Sequence, residues 1–220
     1  MLPFLALPMM ADARHTVAQV DSRNVHSSGA ATYASVNFGA PAATRGIVVF
    51  AWMADVTTPD AWPSPACTIA GVTAQGARYR TWSGAGRAVG VAIFAKMFPT
   101  GTSASVFVDM GGPMQGIVVL RVTGYDLSAP VGLCDTAGAS DAIEVPEGGL
   151  LLAVSGRRGP NTNAVDFNGV VRRGSDVVQA RRDWGWSHRL PASAARPLSF
   201  SPYSGTHGDQ AWVAASFAPL

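Results

Sequence analysis

The densest group of chemistry-bearing side chains is the segment Arg181-Arg-Asp-Trp-Gly-Trp-Ser-His-Arg189. Trp184 and Trp186 are separated by one residue, so on a β-strand they share a face with Arg182 and His188. Indoles beside polar groups are typical of glycan-binding surfaces, where apolar sugar faces pack on the rings. The same residues can instead cover a core edge or anchor a subunit interface, and packing is the favoured interpretation. These four residues are nevertheless the one candidate glycan contact in the sequence.

Residues with the types and spacing of catalysts are sparse. Glycoside hydrolysis needs carboxylates on both sides of a sugar, but Glu144 and Glu147 flank a Pro-Gly turn and are better explained by turn solvation. Asp183, Ser187 and His188 have the types of a nucleophilic triad, yet members so close in sequence rarely face one another. Motifs of phosphate-binding loops, dinucleotide sites, zinc proteases and serine hydrolases are missing from the sequence. We therefore predict that the protein is not an enzyme and has no catalytic residue.

The possible metal ligands are equally scattered. The four histidines are isolated from one another and from both cysteines, so we predict no metal and no cofactor. Cys67 and Cys134 lack the spacing of a metal site or redox motif. One disulfide between them is an open alternative, but two buried free thiols are favoured because a chain of this size needs no covalent staple.

Composition points to a globular protein with few charges. Of 220 residues, 48% are apolar and 14% are charged, so part of the surface is expected to be covered in an assembly. The net charge of +2 is uneven, because residues 151–220 contain eight Arg against four Asp. This excess includes three Arg-Arg pairs, which indicate solvated strand ends or inter-subunit ion pairs more than a nucleic-acid site. Nucleic acid is therefore an unlikely partner.

Residues 1–28 are predicted to form an extended arm before the folded domain. The first ten residues are apolar but interrupted by Pro3 and Pro8, too short to span a membrane and without a basic start. Docking on a neighbouring subunit is the favoured role, with an intramolecular strand and a signal peptide as alternatives. The predicted docking side chains are Leu2, Phe4, Leu5, Leu7, Met9 and Met10.

The remainder, residues 29–220, is predicted to be a single antiparallel β-sandwich of jelly-roll type. Short β-rich runs bounded by Gly, Pro, Asp or Ser recur about every ten residues, and helical periodicity is almost absent. The runs 47–52 and 117–122 are continuously apolar, which predicts strands covered on both faces. The Pro-Gly turn at 98–102 predicts a hairpin. No internal sequence repeat is recognisable.

The order of several motifs is similar to that of a known β-sandwich domain. The motifs are Thr68-Ile-Ala-Gly-Val-Thr73, Val91-Ala-Ile-Phe-Ala95, Pro99-Thr-Gly-Thr-Ser-Ala-Ser-Val106, Ile117-Val-Val-Leu-Arg-Val-Thr-Gly124, Gly148-Gly-Leu-Leu-Leu-Ala-Val154 and Ala211-Trp-Val-Ala-Ala-Ser-Phe217. They resemble, over about residues 30–218, a domain of virion structural and tail-appendage proteins of tailed phages and prophages of high-GC bacteria. That family usually has no assigned chemistry.

The resemblance implies a non-enzymatic structural protein located in the virion. The favoured position is a tail-tip or fibre-type appendage, and the expected partners are other virion proteins and further copies of the chain in a symmetric oligomer, a trimer being favoured. Host surface glycan is an additional expected contact. A capsid decoration protein and a free lectin-like module are the alternatives.

Overall fold

All secondary structure in the described part of the chain is β-structure in antiparallel sheets, which confirms the predicted fold class. A computed structural model describes residues 15–25, 27, 29–55, 65–83, 87–134, 139–157, 166–178, 180–201 and 210–220. Within these ranges there is no helix of the length and hydropathy needed to cross a membrane. The predicted docking side chains of residues 1–10 and most of the Pro-rich segment before Pro65 lie outside the described residues.

The described part of the chain contains seventeen strands joined mostly by short connections, as the spacing of the turn residues predicts. They are β1 Thr16–Asn24, β2 Ala31–Asn37, β3 Arg45–Asp55, β4 Ala66–Ile69, β5 Val72–Thr73, β6 Gln75–Ser83, β7 Arg87–Met97, β8 Ser103–Asp109, β9 Met114–Thr123, β10 Gly132–Cys134, β11 Ser140–Val145, β12 Gly149–Arg157, β13 Asp166–Asn168, β14 Arg172–Val178, β15 Ala180–Leu190, β16 Ser193–Ser201 and β17 Gln210–Phe217.

The strands form two five-stranded inner sheets, each covered by a smaller outer sheet. The first inner sheet has the order β1-β9-β3-β7-β6 and is covered by the first outer sheet, β2-β8-β4-β5. The second inner sheet has the order β10-β17-β12-β15-β14 and is covered by the second outer sheet, β11-β16-β13. The inner sheets pack on each other through a shared core, so the molecule has four layers.

Strands at the centre of each inner sheet are continuously apolar because both of their faces are buried. In β3, Phe50 and Trp52 point toward the other inner sheet, whereas Val49 points toward the outer sheet. β9, β12 and β17 alternate between two cores in the same way. The double coverage predicted for residues 47–52 and 117–122 is therefore confirmed.

Three separate apolar cores stabilise the layers. The central core lies between the inner sheets and takes side chains from both. The core under the first outer sheet contains buried residues only from 31–119, and the core under the second outer sheet only from 134–214. Because fully burying one large apolar side chain contributes about 1.5–3 kcal/mol, the three cores together dominate the stability of the fold.

The layering divides the chain into two halves, which the sequence did not indicate. Strands β1–β9 form the first inner and outer sheets, and strands β10–β17 form the second pair. The β-sandwich predicted over 29–220 thus consists of two stacked pairs of sheets, the first of which also includes β1. The two halves also share one strand order, although their sequences show no recognisable repeat.

The folded part begins earlier than the predicted boundary at residue 28. Strand β1, Thr16–Asn24, pairs antiparallel with β9 along its whole length and forms an edge of the first inner sheet. The sequence placed these residues in the arm because an edge strand is only partly buried, and the register shift between Gln19 and Asp21 breaks its alternation. Residues Thr16–Asn24 therefore belong to the folded part and not to the predicted arm.

The turn at 98–102 does not form the predicted hairpin. β7 belongs to the first inner sheet and β8 to the first outer sheet, so this connection crosses between layers. Arg45 holds the crossing, because its fully buried guanidinium donates hydrogen bonds to the carbonyl oxygens of Phe98 (2.7 Å), Thr100 (2.5 Å), Gly101 (2.7 Å) and Gly39 (3.0 Å). Multiple carbonyl acceptors satisfy the donors of a buried arginine without a carboxylate partner.

Both cysteines are buried free thiols, as favoured from the sequence. Cys67 belongs to the core under the first outer sheet, and Cys134 to the core under the second. They lie in different halves of the molecule, and burial raises the pKa of the Cys67 thiol to about 12. Such a thiol stays protonated and unreactive at neutral pH.

Candidate functional site

The Arg- and Trp-rich segment lies on β15, inside the second inner sheet between β12 and β14. The predicted alternation is observed for three of its residues. Trp184 and Trp186 belong to the central core, and Arg182 contacts the first half from the same face. The segment therefore faces the other inner sheet and not solvent. We call the group of Trp52, Trp184, Arg182, Asp176 and Asn24 the interface cluster.

Arg182 provides the charge of the interface cluster. Its guanidinium is almost completely buried and donates to the carboxylate of Asp176, on the neighbouring strand β14, and to Oδ1 of Asn24 (2.9 Å), on β1 of the first half. Burial lowers the pKa of Arg182, and the Asp176 carboxylate opposes this shift. The guanidinium also lies over the ring of Trp52, with Cζ 5.7 Å from the ring centre. One side chain thus contacts two strands of the opposite inner sheet.

Asn24 completes the polar part of the cluster from the first half. Its Nδ2 donates to Asp176 (3.1 Å), while its Oδ1 accepts from Arg182. Asp176 is the outer member of the ion pair, with 32% of its side-chain area exposed against 3% for Arg182. A buried charge is tolerated only when it is paired and hydrogen-bonded, so these three residues must be treated as one unit.

The tryptophans of the segment are used in packing. Trp184 meets Trp52 edge to face, with ring centres 5.7 Å apart, and its Nε1 donates to Oε1 of Gln19 on β1 (3.1 Å). Trp52 donates in turn to the carbonyl of Ser155 on β12 (2.8 Å). Trp184 is 6% and Trp186 9% exposed, so neither ring offers an open face to a sugar. The predicted glycan contact does not agree with this arrangement, which matches the favoured alternative of packing.

The opposite face of β15 is also occupied by internal pairing. The carboxylate of Asp183 is fully buried and accepts two hydrogen bonds from Arg181, at 3.0 and 3.2 Å, and Arg172 lies 3.7 Å away. Ser187 accepts a hydrogen bond from the backbone of Val171 (3.0 Å). Asp183 and Ser187 are therefore engaged in holding neighbouring strands together, not in a triad with His188.

His188 lies near the end of β15, separated along the strand from the interface cluster. Burial lowers its pKa, and the positive charges of Arg189, Arg173 and His15 lower it further. Its Nδ1 is buried without a hydrogen-bond partner among the described residues. Arg173 is placed over the ring of Trp186, with Cζ 5.4 Å from the ring centre. Burial and the basic surrounding of His188 thus both disfavour its protonated form.

The Arg pairs also have internal roles where they are described. Arg181 and Arg182 bind the carboxylates on the two faces of β15, and Arg157 is buried at the end of β12. The described residues contain no group of three or more His, Cys, Asp or Glu placed to hold a metal ion. The chemistry that this arrangement supports is recognition between the two inner sheets.

Sequence analysis missed the partners of the segment. Asn24 and Asp176 were not singled out, because each is a lone polar residue at or near a strand end with no motif around it. A signal did exist for Trp52, which interrupts an aliphatic run with a group that carries a hydrogen-bond donor. Buried Trp normally requires an acceptor for that donor.

Comparisons with known proteins identified no relative: no family model, no curated protein and no solved structure matches this chain.

Proposed function

We propose that this protein is a non-enzymatic structural component of a tailed-phage virion, of the tail-tip or fibre type. One observation carries the proposal. The segment richest in chemistry-bearing side chains contributes to the interface cluster, where Arg182 binds Asp176 and Asn24 and Trp184 packs on Trp52. Side chains committed to internal contacts support a building element better than a binding or catalytic site. The motif order described above supplies the association with phage particles.

Assembly into a larger structure is supported by the surface of the second half. The edge strand β10 is only three residues long and pairs with β17 on one side. Leu133 on this strand is 52% exposed, and the adjacent Val131 is 40% exposed. Exposed apolar residues on an edge strand are suited to contact with another protein. We propose that such contacts join the chain to further copies, with a trimer favoured, and to other virion proteins.

Fractionation of phage particles tests this proposal. Particles from a host that encodes the chain are purified by density gradient and washed in ~1 M salt, roughly seven times physiological ionic strength. They are then separated into heads and tails before immunodetection of the chain. We expect the protein in salt-washed particles and in the tail fraction. Detection only in the head fraction would support a decoration protein instead, and a protein found entirely outside the particles would contradict the proposal.

A further inference from the structure

The two halves of the chain have the same strand order. The first inner sheet has the order β1-β9-β3-β7-β6, and the second has the order β10-β17-β12-β15-β14. Position by position, β10 corresponds to β1, β17 to β9, β12 to β3, β15 to β7 and β14 to β6. The outer sheets agree as well, since β2-β8-β4 corresponds to β11-β16-β13. Each strand β10–β17 therefore has one counterpart in β1–β9, with β5 as the extra strand of the first half.

Local sequence agrees with this correspondence at two connections. After β4, the residues Ile69-Ala-Gly-Val72 form a turn with Gly71 at a φ of +77°, and after β13 the residues Phe167-Asn-Gly-Val170 form a turn with Gly169 at +92°. A positive φ favours glycine, which explains why this residue is shared when little else is. The connections from β7 to β8 and from β15 to β16 both contain a proline, Pro99 and Pro191.

One pair of contacts across the central core is reciprocal. Trp52 of β3 packs on Trp184 of β15. The counterpart of β3 is β12 and that of β15 is β7, and these strands also meet, because a Cβ added to Gly156 of β12 would lie 2.9 Å from side-chain atoms of both Val89 and Val91 of β7. A reciprocal contact is expected where two equal subunits associate. The association is only approximately symmetric, because β17 packs on β6 and β7 more extensively than β9 packs on β14 and β15.

We infer that the chain is an internal duplication, in which two units of one topology, each of jelly-roll type, associate through their inner sheets as the subunits of a dimer do. The inner sheet of each unit is then an interaction surface, and the partner that fits it is the other unit. Each unit has its own core under its outer sheet, formed by residues within 31–119 in the first unit and within 134–214 in the second. The units should consequently exchange as intact bodies, independently of the function proposed above.

A cut between the units tests the inference on the folded full-length chain. A protease site is inserted between Ser128 and Ala129, two exposed residues of the connection from β9 to β10, and is cleaved after folding. Isotope-labelled and unlabelled cut proteins are mixed in increasing urea and examined by native mass spectrometry and circular dichroism. We expect the cut halves to remain paired 1:1, and hybrid pairs to form at urea concentrations that leave the β-sheet signal unchanged.

The matched control has the same site inserted between Ala70 and Gly71, an equally exposed turn that lies inside the first unit. Its fragments share the sheets of one unit, so hybrids should form only together with loss of the β-sheet signal. The inference is overturned if the protein cut after Ser128 behaves like this control, or if that cut alone unfolds it.

Discussion

Arg182 and Trp52 face each other across the central core, with the guanidinium carbon 5.7 Å from the centre of the indole ring. They belong to different halves of the chain and are separated by 130 residues in sequence. The same guanidinium is hydrogen-bonded to Asp176 and Asn24, so it combines a cation–π contact with an ion pair at one buried position. The cation–π contact and the hydrogen bond to Asn24 connect the two inner sheets, whereas the ion pair joins β14 and β15 within the second inner sheet.

Loss of Asp176 should lower the free energy of unfolding more than loss of its ion-pair partner Arg182. Asp176→Ala leaves a nearly fully buried guanidinium without its carboxylate, and we expect a loss of about 3 kcal/mol in the free energy of unfolding. Arg182→Met removes the charge and retains volume, while Asp176 is partly exposed and can be hydrated, so the loss should be smaller. Urea unfolding of both variants measures the difference.

The double variant Arg182→Met/Asp176→Leu is the control for that experiment. Replacement of a buried ion pair by apolar residues is often close to neutral, so the double variant should be more stable than Asp176→Ala alone. Equal stability of all three variants would show that Arg182 is not desolvated in the folded protein.

The two cysteines should be inert in the native state. Cys67 is buried with its pKa raised to about 12 by desolvation, and Cys134 is buried with Sγ 3.1 Å from Oδ2 of Asp141. We expect neither thiol to react with a chromogenic disulfide reagent at pH 8, and both to react in denaturant without prior reduction. Fewer than two reactive thiols in denaturant would contradict the assignment of free cysteines.

Stability should decrease in mild acid through His188. Because burial and nearby cations lower its folded pKa, the unfolded state binds the proton more readily. The contribution of neutral His188 is fully present above the unfolded pKa of about 6.5 and is lost as the pH falls through the lower folded value. His188→Gln should reduce the slope of unfolding free energy against pH in this window. An unchanged slope would show that the imidazole titrates normally.

Deletion of residues 1–12 should separate folding from assembly. The deletion removes none of the described strands, of which β1 at Thr16 is the first, and it should leave the melting temperature within about 2 °C of the full chain. We expect light scattering to show a smaller oligomer than the full chain forms. An unchanged mass would contradict the docking role proposed for the arm.

Strands buried on both faces could be predicted from the sequence, whereas pairings that depend on other parts of the chain could not. Continuous apolar runs such as 47–52 identify strands between two layers, because no polar residue is tolerated on either face. The boundary between β14, which ends at Val178, and β15, which begins at Ala180, has no Gly or Pro signal in the sequence, although the two strands pair with each other.

For the site, the sequence indicated which side chains share a face but not what covers that face. The alternation of Arg182, Trp184 and Trp186 correctly indicated one shared face, which follows from strand geometry alone. Whether that face meets solvent or a second sheet depends on Trp52 and Asn24, which are more than 100 residues away. The duplication was hidden because layered cores preserve apolar character and turn glycines more than residue identity.

If the segment on β15 holds the two halves together, Trp184→Ala should lower the free energy of unfolding by about 3–5 kcal/mol, as for a tryptophan removed from a core. Leu133→Ala, a change of a half-exposed apolar residue, is the control and should cost less than about 0.5 kcal/mol. An unchanged unfolding free energy for Trp184→Ala, together with loss of binding to host cells, would contradict this role of the segment and assign Trp184 to ligand recognition.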